Sequence, residues 1–142
     1  MSVIVNRPFT PEWAAAFQGA IEADLTYREL AAKWTWPVAL VIDAAPELGC
    51  HEPVAVELAL EGGRCQNAVI RHADAVTAPF TLRAAYATWK LVMHGELDPL
   101  AGVSRGKIRV SGSVATLLLH ASFASALCGC ARAVPTDFPD ES

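Results

Sequence analysis

Charge is scarce in this chain, and no stretch of it is long and apolar enough to cross a bilayer. Charged residues make up 18% of the 142 positions, and the eleven Lys and Arg stand singly among fifteen Asp and Glu, for a formal net charge of -4. No basic stripe is left to neutralise a phosphate backbone, so nucleic acid is not expected as a partner. Every apolar run falls far short of the ~20 residues of a membrane helix, so no stable membrane insertion is expected. Met1 to Phe9 shows no positively charged start followed by an apolar core, the pattern that directs secretion. A cytoplasmic location is the expectation.

Motifs for chemistry are also missing. Four cysteines occur, Cys50, Cys65, Cys128 and Cys130, and in an unsecreted chain they read as reduced thiols. Cys128 and Cys130 are separated by one residue rather than the two or more of structural zinc sites, and on a helix they point apart. No histidine pair has the i, i+4 spacing of a helical metal site. Neither metal nor cofactor is expected. A Gly-x-Ser-x-Gly elbow is absent, and the stretch Gly102 to Lys107 lacks the spacing of a phosphate loop. An enzyme is therefore not expected; the open alternative is a site assembled in space from His120, Asp98 and a cysteine.

What the chain has is apolar substance: 53% of its residues are hydrophobic. At this length it suits one domain, 1–142, and buries about 70% of the surface that its unfolded form exposes. Thr10 suits a cap and Pro11 a first helical position, with Trp13, Phe17, Ala20 and Ile21 following at helical spacing. The spacing predicts a helix to about Lys33, broken near Asp24 to Thr26. Pro37 then forces Trp36 out of the helical region, and Val38 to Ile42 reads as a strand covered on both faces. Val54 to Leu60 alternates apolar and less apolar residues, a strand with one wet face, and Gly62-Gly63 turns it into a third strand over Cys65 to Arg71. Phe80 to Ala84 gives a fourth strand, Tyr86 to His94 a helix capped by Gly95, Asp98-Pro99 a further short helix, and Lys107 to Val110 a fifth strand.

The last helix, Ser113 to about Arg132, is the informative one. At 100° per residue, Val114, Leu117, Leu118, Ala121 and Cys128 fall on one side, with Leu119, Phe123, Leu127 and Cys130 on the other. One apolar face suits the sheet. The second needs a neighbour, because exposed apolar surface forfeits about 25 cal/mol per Å². That neighbour is another helix, a second copy of the chain, or a ligand.

Several ordered motifs resemble those of the sterol carrier protein family, the lipid-transfer domain of the second type. They are Tyr86-x-x-Trp89, Gly95-Glu96-Leu97-Asp98-Pro99 and Gly106-Lys107-Ile108-Arg109-Val110-x-Gly112, followed by the apolar helix. Pro11-Glu12-Trp13 and the ending Ala131 to Phe138 are similar to small bacterial members. The resemblance implies an α+β fold: a five-stranded, mostly antiparallel sheet covered on one face by helices, with an apolar tunnel between the layers. It also implies non-covalent binding of a lipid or other apolar small molecule such as a fatty acid, acyl-CoA or sterol. The ending Asp140-Glu141-Ser142 is not the peroxisomal tripeptide of other members.

Under that resemblance the tunnel wall takes Phe80, Leu82, Ile108 and Val110 from the sheet, and Leu119, Phe123 and Leu127 from the last helix. Trp89 sits at the mouth, or else in ordinary core packing. Leu97, Leu100 and Val103 form a mobile lid or plain helix packing. His120 donates to a ligand's polar end, or bonds nearby backbone or water. Lys107 and Arg109 suit a solvated strand face, or a head-group contact at the rim. A ligand-free homodimer that spends the second apolar face on its partner is the standing alternative.

Overall fold

The computed structural model describes residues 6–141; the first five residues and Ser142, on which part of the targeting reading rests, lie outside the described residues. The elements run α1 (Pro11–Ala23), α2 (Leu25–Leu30), β1 (Val38–Ile42), β2 (Val54–Glu61), β3 (Arg64–His72), β4 (Phe80–Ala84), α3 (Tyr86–Met93), α4 (Pro99–Ser104), β5 (Arg109–Ser111), α5 (Val114–Leu119) and α6 (Ala121–Ala133). Short 3-10 turns occupy Pro46–Leu48, Ala73–Ala75 and Pro139–Glu141. The strands form one sheet in the order β3-β2-β1-β4-β5. Only β1 and β4 pair in parallel; the other neighbours are antiparallel. This is the α+β, mostly antiparallel five-stranded sheet expected from the sequence.

Local chemistry explains the boundaries. Thr10 Oγ1 accepts from the Trp13 amide and Pro11 takes the first helical position. Asp24 ends α1 in an extended conformation and caps α2, its Oδ1 accepting from the Tyr27 amide at 2.9 Å. The predicted break is therefore present, but α2 stops at Leu30 rather than near Lys33. The Trp34 amide donates back to the Ala31 carbonyl, and this turn drives the Trp34 ring into the core, where it is 1% exposed. Gly62 and Gly63 both take positive φ, the requirement of the tight hairpin between β2 and β3.

The fifth strand begins at Arg109, two residues later than expected. The amides of Lys107 and Ile108 both donate to the Gly102 carbonyl at the end of α4, so they have no donor left for the sheet. A Cβ at Gly102 would lie 2.6 Å from Ile108 Cδ1, so a larger residue there would have to displace the buried Ile108 side chain.

Val38, Leu40, Ile42, Val56, Leu58, Phe80, Leu82 and Ala84 face the helices and form the core with them. From α1, Trp13, Phe17 and Ile21 are fully buried, each contributing about 1.5–3 kcal/mol of burial. Central to the helical layer is α6, which α1, α2, α3 and α4 all touch.

The far face of the sheet is less wet than the alternation in β2 suggested. The 73–79 connection from β3 to β4 crosses it, and beneath it Ala39, Val41 and Ala55 are buried. Glu57 pins the connection: Oε2 accepts from the amides of Thr77 at 2.8 Å and Ala78 at 3.0 Å, while Oε1 accepts from Arg71 Nε at 2.9 Å. Burial alone would raise the Glu57 pKa, but these donors outweigh it and hold the carboxyl below the usual range. The continuous burial of β1 expected from its apolar run follows from this second cover.

Candidate ligand site beneath the last two helices

The single last helix expected over Ser113 to Arg132 is in fact two. His120 leaves the helical region at φ -113, ψ 40, and divides α5 from α6. The break resets the helical phase. In α6, Phe123, Ala124, Leu127, Cys128, Cys130 and Ala131 are all buried, so the two faces separated by an unbroken helix both find neighbours. In α5, Leu117 alone is buried. Leu119, expected on the same inner wall as Phe123 and Leu127, points outward and is 84% exposed; Leu118 is 56% exposed. The placement of Leu119 is corrected accordingly: i, i+4 residues share a face only while the helix continues.

Under the break lies an aromatic cluster. Trp34 stacks on Phe123 with centroids 4.1 Å apart and planes 11° from parallel. Phe80 lies 4.8 Å from Trp34 and 5.8 Å from Trp36. His120 meets both tryptophans edge-on, at 5.4 and 6.1 Å. Trp34 Nε1 donates to the Trp36 carbonyl at 2.7 Å, which satisfies the indole N–H within the apolar surroundings. Three expected site residues, Phe80, His120 and Phe123, are thus brought together. Trp34 and Trp36 were not among them; the sequence signal was two tryptophans immediately before a buried strand.

The remaining expected residues spread around the same layer. Leu82 and Leu127 are buried in the core, where Val110 is half-buried. Leu97 and Ile108 meet beneath Gly102, placing α4 over that end of the sheet, with Leu100 and Val103 packed against the core from the same helix. Trp89 is 2% exposed and donates from Nε1 to the Val41 carbonyl at 2.8 Å, so its polar edge is already bonded to the sheet.

Beside the cluster a groove of about 640 Å³ opens between α2 and α6, with Tyr27, Leu30, Ser122 and Arg132 among its walls. The Tyr27 ring lies 6.2 Å from Phe123, and its hydroxyl is buried without a hydrogen-bond partner among the described residues. Burial raises its pKa well above the ordinary phenol value and keeps it protonated.

All four cysteines are free. Burial pushes the thiols of Cys65 up to about 11 and of Cys128 and Cys130 up to about 12. Groups so raised are inert thiols rather than activated nucleophiles. Among the described residues no cluster of three His, Cys, Asp or Glu side chains is arranged to hold a metal ion, and no helix is long and apolar enough to cross a membrane.

A crystal structure of sterol carrier protein 2 superimposes on this fold with a TM-score of 0.85 and 33% identity, covering 90% of this chain and 99% of that one. The chain belongs to the sterol carrier protein 2 family. A conserved hypothetical protein of Thermus thermophilus, solved in solution, matches at a TM-score of 0.84 and 33% identity, over 91% of this chain and 90% of its own. Sterol carrier protein 2 from Yarrowia lipolytica shares the fold at 12% identity and a TM-score of 0.58, over 93% of this chain and 98% of its own. No protein-family model matches the sequence, and no curated protein does. The motifs between Tyr86 and Gly112 fall on α3, α4, β5 and the turns between them.

Proposed function

We propose that this protein binds one apolar, lipid-like molecule without covalent chemistry, in the interior between the helices and the sheet, and carries it between sites. The observation that carries this reading is the 33% identity, over nearly the whole chain, with a protein named for carrying sterol. In this reading the cluster of Trp34, Trp36, Phe80, His120 and Phe123 is the inner wall, and α5, which ends at His120, is its cover. α5 is six residues long and buries only Leu117, so its hold on the body is weak. In this reading α5 swings about His120 and opens an apolar tunnel flanked by Leu82, Ile108, Val110 and Leu127. Leu97, in the turn before α4, and Leu100 and Val103 on α4 close the opposite end. Inert thiols suit a carrier that does no chemistry, and four unpaired cysteines suit a reducing, cytoplasmic setting.

The exposed Leu118 and Leu119 favour one rival, a homodimer that covers them and binds nothing. Native mass spectrometry of the purified protein separates the two. The expected result is a monomer with co-purified lipid at unit stoichiometry, and uptake of a fluorescent fatty acid that Phe123→Asp abolishes, because a carboxylate in the wall is strongly disfavoured. A ligand-free dimer, or full uptake by a cooperatively melting Phe123→Asp variant, would overturn the carrier reading.

A further inference from the structure

The sheet face turned away from the helices carries two arginines placed directly opposite one another: Arg83 on β4 and Arg109 on β5 are register partners. Like charges in that position repel and destabilise the pair of strands unless an anion stands between them. Asp43, just beyond β1, supplies one. Its Oδ1 accepts from Arg83 Nε at 2.6 Å, and both of its oxygens accept from Arg109 Nη2 at 3.4 Å. One carboxylate between two guanidinium groups leaves one positive charge over, together with fork donors that Asp43 does not use. Among the described residues no other acidic side chain bonds either arginine.

Beside this cluster a cavity of about 340 Å³ lies between the sheet and the 73–79 connection. Its walls are apolar at Val41, Val76 and Ala78, with hydroxyls at Thr81 and Ser111. The volume falls at the small end of ligand-sized cavities. Spare guanidinium donors at one end and valines behind them match an anion that carries a short apolar body; a planar carboxylate is the group the arginine fork fits bidentately.

We propose that this cavity binds a small organic monocarboxylate, its carboxylate across Arg83 and Arg109 and its apolar part against Val41 and Val76. The site is on the opposite side of the sheet from the aromatic cluster and stands independently of the carrier reading. Inorganic phosphate shares the charge but not the apolar body.

The test is titration of the isotopically labelled full chain with acetate, hexanoate and inorganic phosphate, followed by backbone amide shifts. Hexanoate is expected to shift Val41, Thr81, Arg83, Arg109 and the 76–78 segment, and to bind more tightly than acetate or phosphate. Arg83→Gln and Arg109→Gln should each weaken it about tenfold, the weight of one charge-assisted bidentate contact. Arg109→Gln guards against misfolding, since that side chain is 68% exposed. Asp43→Asn removes the competing carboxylate and should tighten binding. Shifts confined to the helical side, undiminished binding by both glutamine variants, or no gain from acetate to hexanoate would each overturn the proposal.

Discussion

α5 and α6 follow one another in the chain, both consist mostly of apolar residues, and the fold treats them oppositely. α6 packs against α1, α2, α3 and α4 and buries six of its thirteen residues, whereas α5 buries one of six. The predominance of apolar residues does not distinguish them. The difference is made by one residue, His120, whose non-helical backbone turns Phe123 onto Trp34 and leaves Leu118 and Leu119 in solvent. Apolar content thus measures how much surface a segment offers for burial, and the backbone decides whether that surface is used.

The sharpest way to break this comparison is to truncate one side chain in each helix. Phe123→Ala should cost about 3–5 kcal/mol, since it opens a void against a stacked indole. Leu119→Ala should stay within about 0.5 kcal/mol, the range of surface changes. Urea unfolding measures both, and equal costs would mean that α5 is as firmly packed as α6.

The two covers of the sheet offer a second, smaller test. The helical cover is held by apolar contacts, whereas the 73–79 connection is held by the carboxylate of Glu57. Glu57→Gln should lose about 1.5–3 kcal/mol, the range for hydrogen bonds to a charged group. The pH dependence has a defined sign. The folded pKa of Glu57 lies below its unfolded value, so the stabilisation is complete above that unfolded value of about 4.3 and is lost as pH falls through the folded one. Unfolding measured from pH 7 down to pH 3 should show the native protein losing its advantage over Glu57→Gln across that window. A constant difference at all pH values would remove Glu57 as the pin.

The smallest expected effect lies where α2 meets α6. Tyr27→Phe removes a buried hydroxyl that has no partner, so it should leave stability unchanged or raise it by up to about 1 kcal/mol. A loss of stability in thermal melts would show that the hydroxyl is bonded in solution.

Most element positions were legible because their cause is local. Pro11 behind Thr10, the glycine pair at 62 and 63, and the alternation in Val54 to Leu60 each act within a few residues. The candidate site was less legible. Phe80, His120 and Phe123 were expected under the family resemblance and all contact Trp34, which was missed because these partners lie at least 46 positions away along the chain. The pairing of Arg83 with Arg109 depends on strand register, which neither short strand declares by itself.

By itself the sequence determined the kinds and order of the elements, the family, and the surplus of apolar surface in the last segment, since periodicity, turn chemistry and ordered motifs act over short stretches. Only the tertiary structure decided where that segment bends, which leucines stay outside, and what covers the far face of the sheet. Those outcomes depend on contacts between residues far apart in the chain, where packing overrides the helical propensity of a single segment.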